Sequence, residues 1–391
     1  KELNMNLMVW QLPHPEQLNH LPHSEQEKVL QKAWLMFTEG DFQQRWEVAK
    51  LLPQFGASAI ARLKSLLEAE QANLDLRCEA AAILSKINHP EAVFALTTVL
   101  KTETDVEVVT ACLNALVNTG TDSIPFLIEA LADSRKRLPA VEALAYLRKP
   151  ETITPLLQVI EDEQWEVRVT AIEALSSFRD PKIIPALINA LSDSQAMVRK
   201  EAVVALGVRG SDFDHEAVVD ALRPRLYDLN LEVCRQSAIA LGRINTPSAL
   251  DGLRDCLQSS LTPSPLKQQL VIVLSQHESE ENLTVLKTAL WQESFSITQE
   301  IIAKLGRWQQ SYLKKPIVEA LTVYFYDHQF TRDNIVLKQT LATALGNLGI
   351  ADGKNLLLAL AEDESRVVRL HAQVALKKLP ETSKSMKLNS L

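Results

Sequence analysis

Residues 168–193, RVTAIEALSSFRDPKIIPALINALSD, are followed six residues later by RKEAVVALGVRGSDFDHEAVVDALRPRLYD, residues 199–228, which repeat the same plan. Each copy opens on an arginine, continues as an Ala/Leu-rich stretch of helical period, turns, runs through a second apolar helix and closes on an aspartate. A period near 30 residues, with two amphipathic helices in each, is the signature of stacked helix pairs, because one pair cannot bury its apolar face alone. The chain therefore reads as an all-α fold, an α-solenoid (superhelix).

The register extends in both directions. Aligned on the opening arginine, the starts fall at Arg45, Arg77, Val109, Arg137, Arg168, Arg199, Cys234, Lys267, Thr298, Lys338 and Arg369. The spacings are 32, 32, 28, 31, 31, 35, 33, 31, 40 and 31 residues, giving about ten full pairs and a lone closing helix. Within the first helix, positions +3, +6 and +7 from this slot are small or aliphatic (Ala171, Ala174 and Leu175; Ala202, Ala205 and Leu206), one stripe that lets helices approach closely. Gly207, Gly242, Gly306 and Gly346 follow that stripe, where a left-handed helix end is expected.

Three segments follow from this register. Residues 1–44 form an N-terminal arm and a capping helix, 45–379 the repeat array, and 380–391 a disordered tail. Pro13, Pro15 and Pro22 make the arm extended or turn-rich. Ser24 and Glu27 have capping-box spacing for a helix running to about Glu39, with Val29, Leu30, Ala33, Trp34 and Phe37 on one face.

Composition narrows the function. Hydrophobic residues make up 46% of 391 residues, aromatics only 5%, and the net charge is −8. A negative chain is poorly suited to the phosphate backbone, so no nucleic-acid partner is expected. No run of about 18 uncharged apolar residues occurs, so no membrane insertion is expected, and a cytoplasmic location is the default. Cys78, Cys112, Cys234 and Cys256 lack CxxC spacing and read as small apolar residues.

The chemistry-bearing residues are scattered. His89, His215 and His277 fall in the inter-helix turns of different repeats, too far apart to share a metal. The run His14, Glu16, His20, His23 reads as a polar arm, with zinc binding as its alternative. Nucleotide, zinc-protease and serine-hydrolase motifs are absent. No catalytic, cofactor-binding or metal site is therefore assigned, and no cofactor.

Aspartates six residues before a slot form a structural ladder with the slot arginines: Asp162 with Arg168, Asp193 with Arg199, Asp363 with Arg369. Each carboxylate is placed to accept loop N–H groups and to face an arginine of its own or the next repeat. Arg168→Ala or Arg199→Ala is expected to cost about 1–3 kcal/mol. Val109, Cys234 and Thr298 should interrupt the ladder. The short repeat, with its basic cluster Arg135–Arg137 beside Arg148 and Lys149, should re-angle the stack and present a solvated edge. The long repeat and its approach hold eight of 21 aromatics, residues 291–330, including Trp291, Trp308, Tyr324 and Tyr326. These fill the core or form a partner platform.

The pattern R-x-x-A-x-x-A-L-(G)-x…P-x-x-(I/V)-x-x-L-x-x-A-L-x-D-x-x-x-x-V-R resembles the HEAT family. Ile184, Pro185, Leu187, Ala190, Leu191, Asp193, Val198 and Arg199 carry the match. Within that family the chain is most similar to the HEAT-like repeats of phycobilisome (bilin) lyases. The resemblance implies a non-enzymatic scaffold or adaptor binding a protein partner on a concave face of second helices, through positions such as Gln158, Asn189, Arg223 and Arg254. It equally implies, as the alternative, a bilin lyase or chromophore-handling subunit, with a bilin or phycobiliprotein as partner.

Overall fold

The computed structural model describes residues 12–18, 20–209, 215–327 and 334–380. Among them no strand occurs, and every one of the eleven register starts lies in a helix. The structure forms two compact units, Lys1–Ala186 and Leu187–Leu391.

In the first unit the leading helices are Phe42–Leu51, Leu74–Leu84, Val106–Val117, Arg137–Leu147 and Trp165–Leu175. Each is answered by a second helix: Ala57–Glu68, Pro90–Thr102, Ile124–Leu131, Ile153–Gln158 and Ile183–Ala190, the last running across the division. In the second unit the leading helices are Ala196–Arg209, Leu231–Ile244, Ser264–Leu274, Phe295–Leu305, Ile335–Leu348 and Arg366–Leu376. Their partners are His215–Leu222, Pro247–Gln258, Glu280–Gln292, Ser311–Asp327 and Lys354–Ala361, and Arg366–Leu376 stands alone.

Local chemistry sets these boundaries. Asn73, Asp105, Asn230, Ser279 and Asn334 cap leading or second helices by accepting first-turn N–H groups. Pro90 and Pro247 open second helices, where their missing N–H costs nothing. At the N-terminus, Pro15–Leu18 forms one helical turn within the expected extended arm. The next helix, His23–Glu39, begins one residue ahead of Ser24 and has no side-chain cap. The capping box lies instead at Asp41 and Gln44, which exchange side-chain and backbone hydrogen bonds. Residues 1–11 of the arm and 381–391 of the tail lie outside the described residues.

Burial follows the register, with one addition. Ala171, Leu175, Ala202, Ala205 and Leu206 are fully buried, and so are Ile172 and Val203 at position +4, which the three-position stripe omits. The last helix carries exposed Gln373 at +4, where the copies from Arg77 to Lys338 bury an aliphatic residue, and it also exposes Val367, Leu370 and Val374.

The register glycines are not left-handed helix ends. Gly207, Gly242 and Gly346 lie inside their helices and Gly306 caps one in right-handed geometry. They serve close approach: a Cβ on Gly207 would lie 2.6 Å from Ala240 Cβ and 2.9 Å from its Cα, and one on Gly346 2.6 Å from Ala375 Cβ.

The ladder exists, with a different connectivity from the expected one. Slot arginines reach back to a main-chain carbonyl of their own leading loop. Arg168 donates to Asp162 O at 2.7 Å, Arg199 to Asp193 O at 2.8 Å and Arg369 to Asp363 O at 2.7 Å. The carboxylate in that loop is taken by the slot of the preceding repeat. Asp228 accepts Arg199 Nε at 2.8 Å and Nη2 at 2.7 Å, Asp162 accepts Arg137 at 2.6 Å, and Asp363 accepts Lys338 at 2.6 Å. Glu103 and Glu293 receive Arg77 and Lys267 in the same way. The other carboxylate oxygen holds a loop N–H two residues on, as from Gln164 to Asp162 at 2.9 Å; in Asp228 the oxygen that takes the Asn230 N–H also receives Arg199. One acidic residue thus closes its own loop and ties down the repeat before it.

Uncharged slots keep the carbonyl half of this bond. Cys234 Sγ lies 3.1 Å from Asp228 O, and Thr298 Oγ1 donates to Leu290 O at 3.4 Å. At Val109, Lys136 of the following loop reaches Leu100 O in its place. The basic cluster is therefore only partly a solvated edge. Lys136 is buried and Arg137 is a rung, which leaves Arg135 chelating Asp133, whose carboxyl is held down at about 2 chiefly by the Arg135 hydrogen bonds. The 28-residue spacing is taken up where the next leading helix, Arg137–Leu147, opens on the slot itself instead of three residues before it, just after the second helix Ile124–Leu131. Beside it opens a cavity of about 400 Å³ lined by Leu100, Phe126, Asp133 and Lys136.

Arg199→Ala strands the buried Asp228 carboxylate, and the expected loss is about 3 kcal/mol in urea denaturation. The Arg199→Ala/Asp228→Ala double variant should lose less than the sum, and a strictly additive pair would refute the rung. Burial raises the Asp228 carboxyl, but the Arg199 hydrogen bonds, the Asn230 N–H and the guanidinium charges outweigh it and hold the group below its ordinary value. Asp363 is likewise low despite its burial, held down by Lys338 and the Ser365 N–H. A depressed folded value means that this stability is complete above the unfolded value of about 3.9 and is lost as pH falls through the folded one. Stability measured against pH should decline below about pH 4, less steeply in Arg199→Ala.

Gly207→Ala tests the close approach. Alanine ordinarily favours a helix by about 1 kcal/mol, yet here overpacking against Ala240 should destabilise by about 1–3 kcal/mol. A raised melting temperature would contradict the packing.

Candidate functional site

The connectivity of the ladder shows where the surface departs from it. A cationic slot is followed by an acid in the next leading loop: Arg77 by Glu103, Arg137 by Asp162, Arg199 by Asp228, Lys267 by Glu293 and Lys338 by Asp363. Of the three uncharged slots, Val109 and Cys234 are followed by a leucine six residues before the next slot, Leu131 and Leu261, and Thr298 by Arg332. Leu131 is buried, whereas Leu261 is 87% exposed.

Leu261 belongs to a row. In the second unit, the passages from second helices into the next repeat carry Tyr227 and Leu229, Leu261, and, at the helix ends that flank the last passage, Trp291 and Phe295. Leu229 is 103% exposed, and the others range from 40% to 87%. Corresponding loops at Arg77, Arg168 and Arg199 hold Glu70, Glu161, Glu163, Ser192 and Ser194. Nothing in the fold calls for leucine at an exposed loop position, and one such side chain per repeat over successive repeats makes an apolar edge.

The aromatic window sorts into core and surface. Trp308 is 2% exposed and donates its indole N–H to Ser275 O at 3.0 Å, so it fills the core of the long repeat and presents nothing to a partner. Tyr324 is buried edge-on against Trp291, with ring centroids 5.1 Å apart. Trp291 and Tyr326 keep 40% and 46% of their surface exposed. The platform therefore reduces to Trp291 and Tyr326, at or near the C-terminal ends of Glu280–Gln292 and Ser311–Asp327. Phe330 lies outside the described residues.

Of the four polar positions on second helices, Gln158 and Asn189 are exposed and Arg223 and Arg254 half-buried. Arg254 is committed to structure, bonding Asp251 at 2.6 Å and Asn282 Oδ1 of the next second helix at 2.8 Å. Arg223 lies over Gly252, where a Cβ would come within 3.0 Å of its Nε, and pairs with Asp255 at 3.5 Å.

The remaining candidates do not converge. His89 caps Pro90–Thr102 by accepting the Glu91 N–H at 3.2 Å, and His215 opens its own helix. Among the described residues no three His, Cys, Asp or Glu side chains gather in a metal-binding arrangement; the Glu16 side chain of the N-terminal run is outside them. Burial raises all four thiols, Cys112 to about 12, so they are neutral and unreactive. No helix among the described residues is long and apolar enough to cross a membrane.

Comparison with known proteins agrees with this architecture. A model of HEAT repeats matches residues 60–145, 124–207 and 184–275. Curated proteins give no match. Among solved structures, the karyopherin Kap121p bound to the extreme C-terminus of the phosphatase Cdc14p is 13% identical, over 92% of this chain and 46% of that one, at a TM-score of 0.56. An engineered protein is 22% identical over 89% and 98% of the two chains, at a TM-score of 0.37. Human deoxyhypusine hydroxylase is 24% identical over 69% and 96%, at 0.29. The Kap121p likeness concerns the repeat fold alone, and the family model does not extend the resemblance to bilin lyases in particular. With repeats matched across residues 60–275, more than half of its length, the chain belongs to the HEAT-repeat family.

Proposed function

We propose that the protein is a non-enzymatic interaction scaffold, and that the loop edge of its second unit, rather than the polar positions on the second helices, is the principal contact surface for a protein partner. The observation that carries this reading is the exposed row Tyr227, Leu229, Leu261 and Trp291, one or two large side chains per repeat. Side chains left in water at 87% and 103% exposure contribute nothing to folding, and their burial against a partner releases apolar surface at about 25 cal/mol per Å². Repetition spreads the contact over a long edge, with Trp291 and Tyr326 as aromatic anchors at its end. A polar rim is built in from Arg223 with Asp255.

Leu229→Ser/Leu261→Ser separates contact from folding. Cross-linking with mass spectrometry on native extract would identify a stoichiometric partner, and binding is then measured with both purified proteins. The double variant should keep its melting temperature and bind at least about tenfold more weakly, as expected for losing two buried leucines. Equal affinity for the two forms would sink this surface. Trp308→Ala should behave oppositely, unfolding at lower denaturant by about 3–5 kcal/mol because it empties a core site.

A further inference from the structure

The chain carries a net charge of −8, yet one cavity of about 530 Å³ in the second unit has a purely basic charged lining. Arg307, Lys314 and Lys378 supply its charge and Asn347 its amide; no Asp or Glu lines it. Among the described residues no carboxylate pairs with any of the three cations. The rung cations Arg137, Arg199 and Lys338 are each held by an acid, whereas these three cations share one cavity with none in its lining.

Register explains how the group is assembled. Arg307, Asn347 and Lys378 occupy the same register position, nine residues after the slot, in three successive repeats, at or just beyond the end of the leading helix. Stacking therefore sets them in line at the inter-helix turns, and Lys378 Nζ donates to Asn347 Oδ1 at 3.0 Å. Lys314 enters from the first turn of Ser311–Asp327. Gly306, Gly346 and Gly349 form part of the wall, where the backbone carries no side chain. The turn already holds one carboxylate: the N–H groups of Gln309, a lining residue, and of Gln310 take Glu278 at 2.8–3.0 Å. Glu278 itself is not part of the lining.

We propose that this cavity is an anion site that takes a phosphate monoester group. Three cations and an amide lining one opening are closer in charge and donor count to a group with about two negative charges and three strong acceptor oxygens than to a single carboxylate. The guanidinium of Arg307 contributes the paired donors suited to two phosphate oxygens, and the lysines act as point charges. The site is independent of the apolar loop edge, and neither reading requires the other.

Calorimetric titration of the full chain at low salt tests it with two probes, inorganic phosphate and a short phosphoserine peptide, against the unphosphorylated peptide. Saturable binding of phosphate itself marks a small-anion site, and binding of the phosphopeptide alone marks a docking site for a phosphorylated segment; either supports the proposal. Arg307→Gln, Lys378→Gln and Asn347→Asp change exposed residues and should leave the melting temperature in place. Each should weaken the bound probe about tenfold, the loss of one charge-assisted bond. No saturable binding of either probe, or affinities unchanged in all three variants, would overturn the site.

Discussion

Everything in the stack depends on one shared acid. Asp228 is the example: one oxygen holds its own loop through the Asn230 N–H, both oxygens receive the preceding repeat's Arg199, and its main-chain carbonyl faces its own slot. Apolar stripes on helices say only that neighbours attract, and ridges can settle into grooves at more than one offset. The rung is directional and has a fixed reach, so it selects the offset at which both loops close. Close approach at Gly207 and Gly346 then follows, because two helix backbones held that near leave no room for a Cβ.

The functional surface is a by-product of where this device lapses. A slot without charge releases its successor from supplying an acid, and at Cys234 the released position became the exposed Leu261. At Val109 the same release produced buried Leu131, with Lys136 bent inward to satisfy Leu100 O. One lapse was absorbed into packing and the other was turned outward. That contrast separates a repaired irregularity from a retained one.

Most of the fold was legible because helix-pair repeats state their period openly: all eleven starts fall inside leading helices. Glycine was misread because its commonest role at a helix end is conformational, and nothing local distinguishes that from a contact made by the neighbouring repeat. The direction of the ladder was missed for a similar reason. Asp162 precedes Arg168 by six residues, so proximity in sequence suggested a pair, while the bond itself joins the Asp162 carboxylate to Arg137, 25 residues back. Trp308 shows the limit of composition: an aromatic cluster announces burial and binding alike, and only packing against Ser275 decides. Leu229 and Leu261 carried a usable signal, apolar residues at loop positions held by acids or serines in sister copies, which becomes visible once copies are compared position by position.

The offset of the rung also bears on how such an array changes over time. A substitution at a slot is felt in two places, by its own leading loop through the carbonyl and by the loop of the following repeat, 25–29 residues downstream, through the carboxylate. The unit of inheritance is therefore not the helix pair that the eye picks out, but a staggered module running from one cation to the acid that answers it. Excising or inserting a whole period preserves every such module except at the seam. Exchange of single helices between repeats breaks two modules at once.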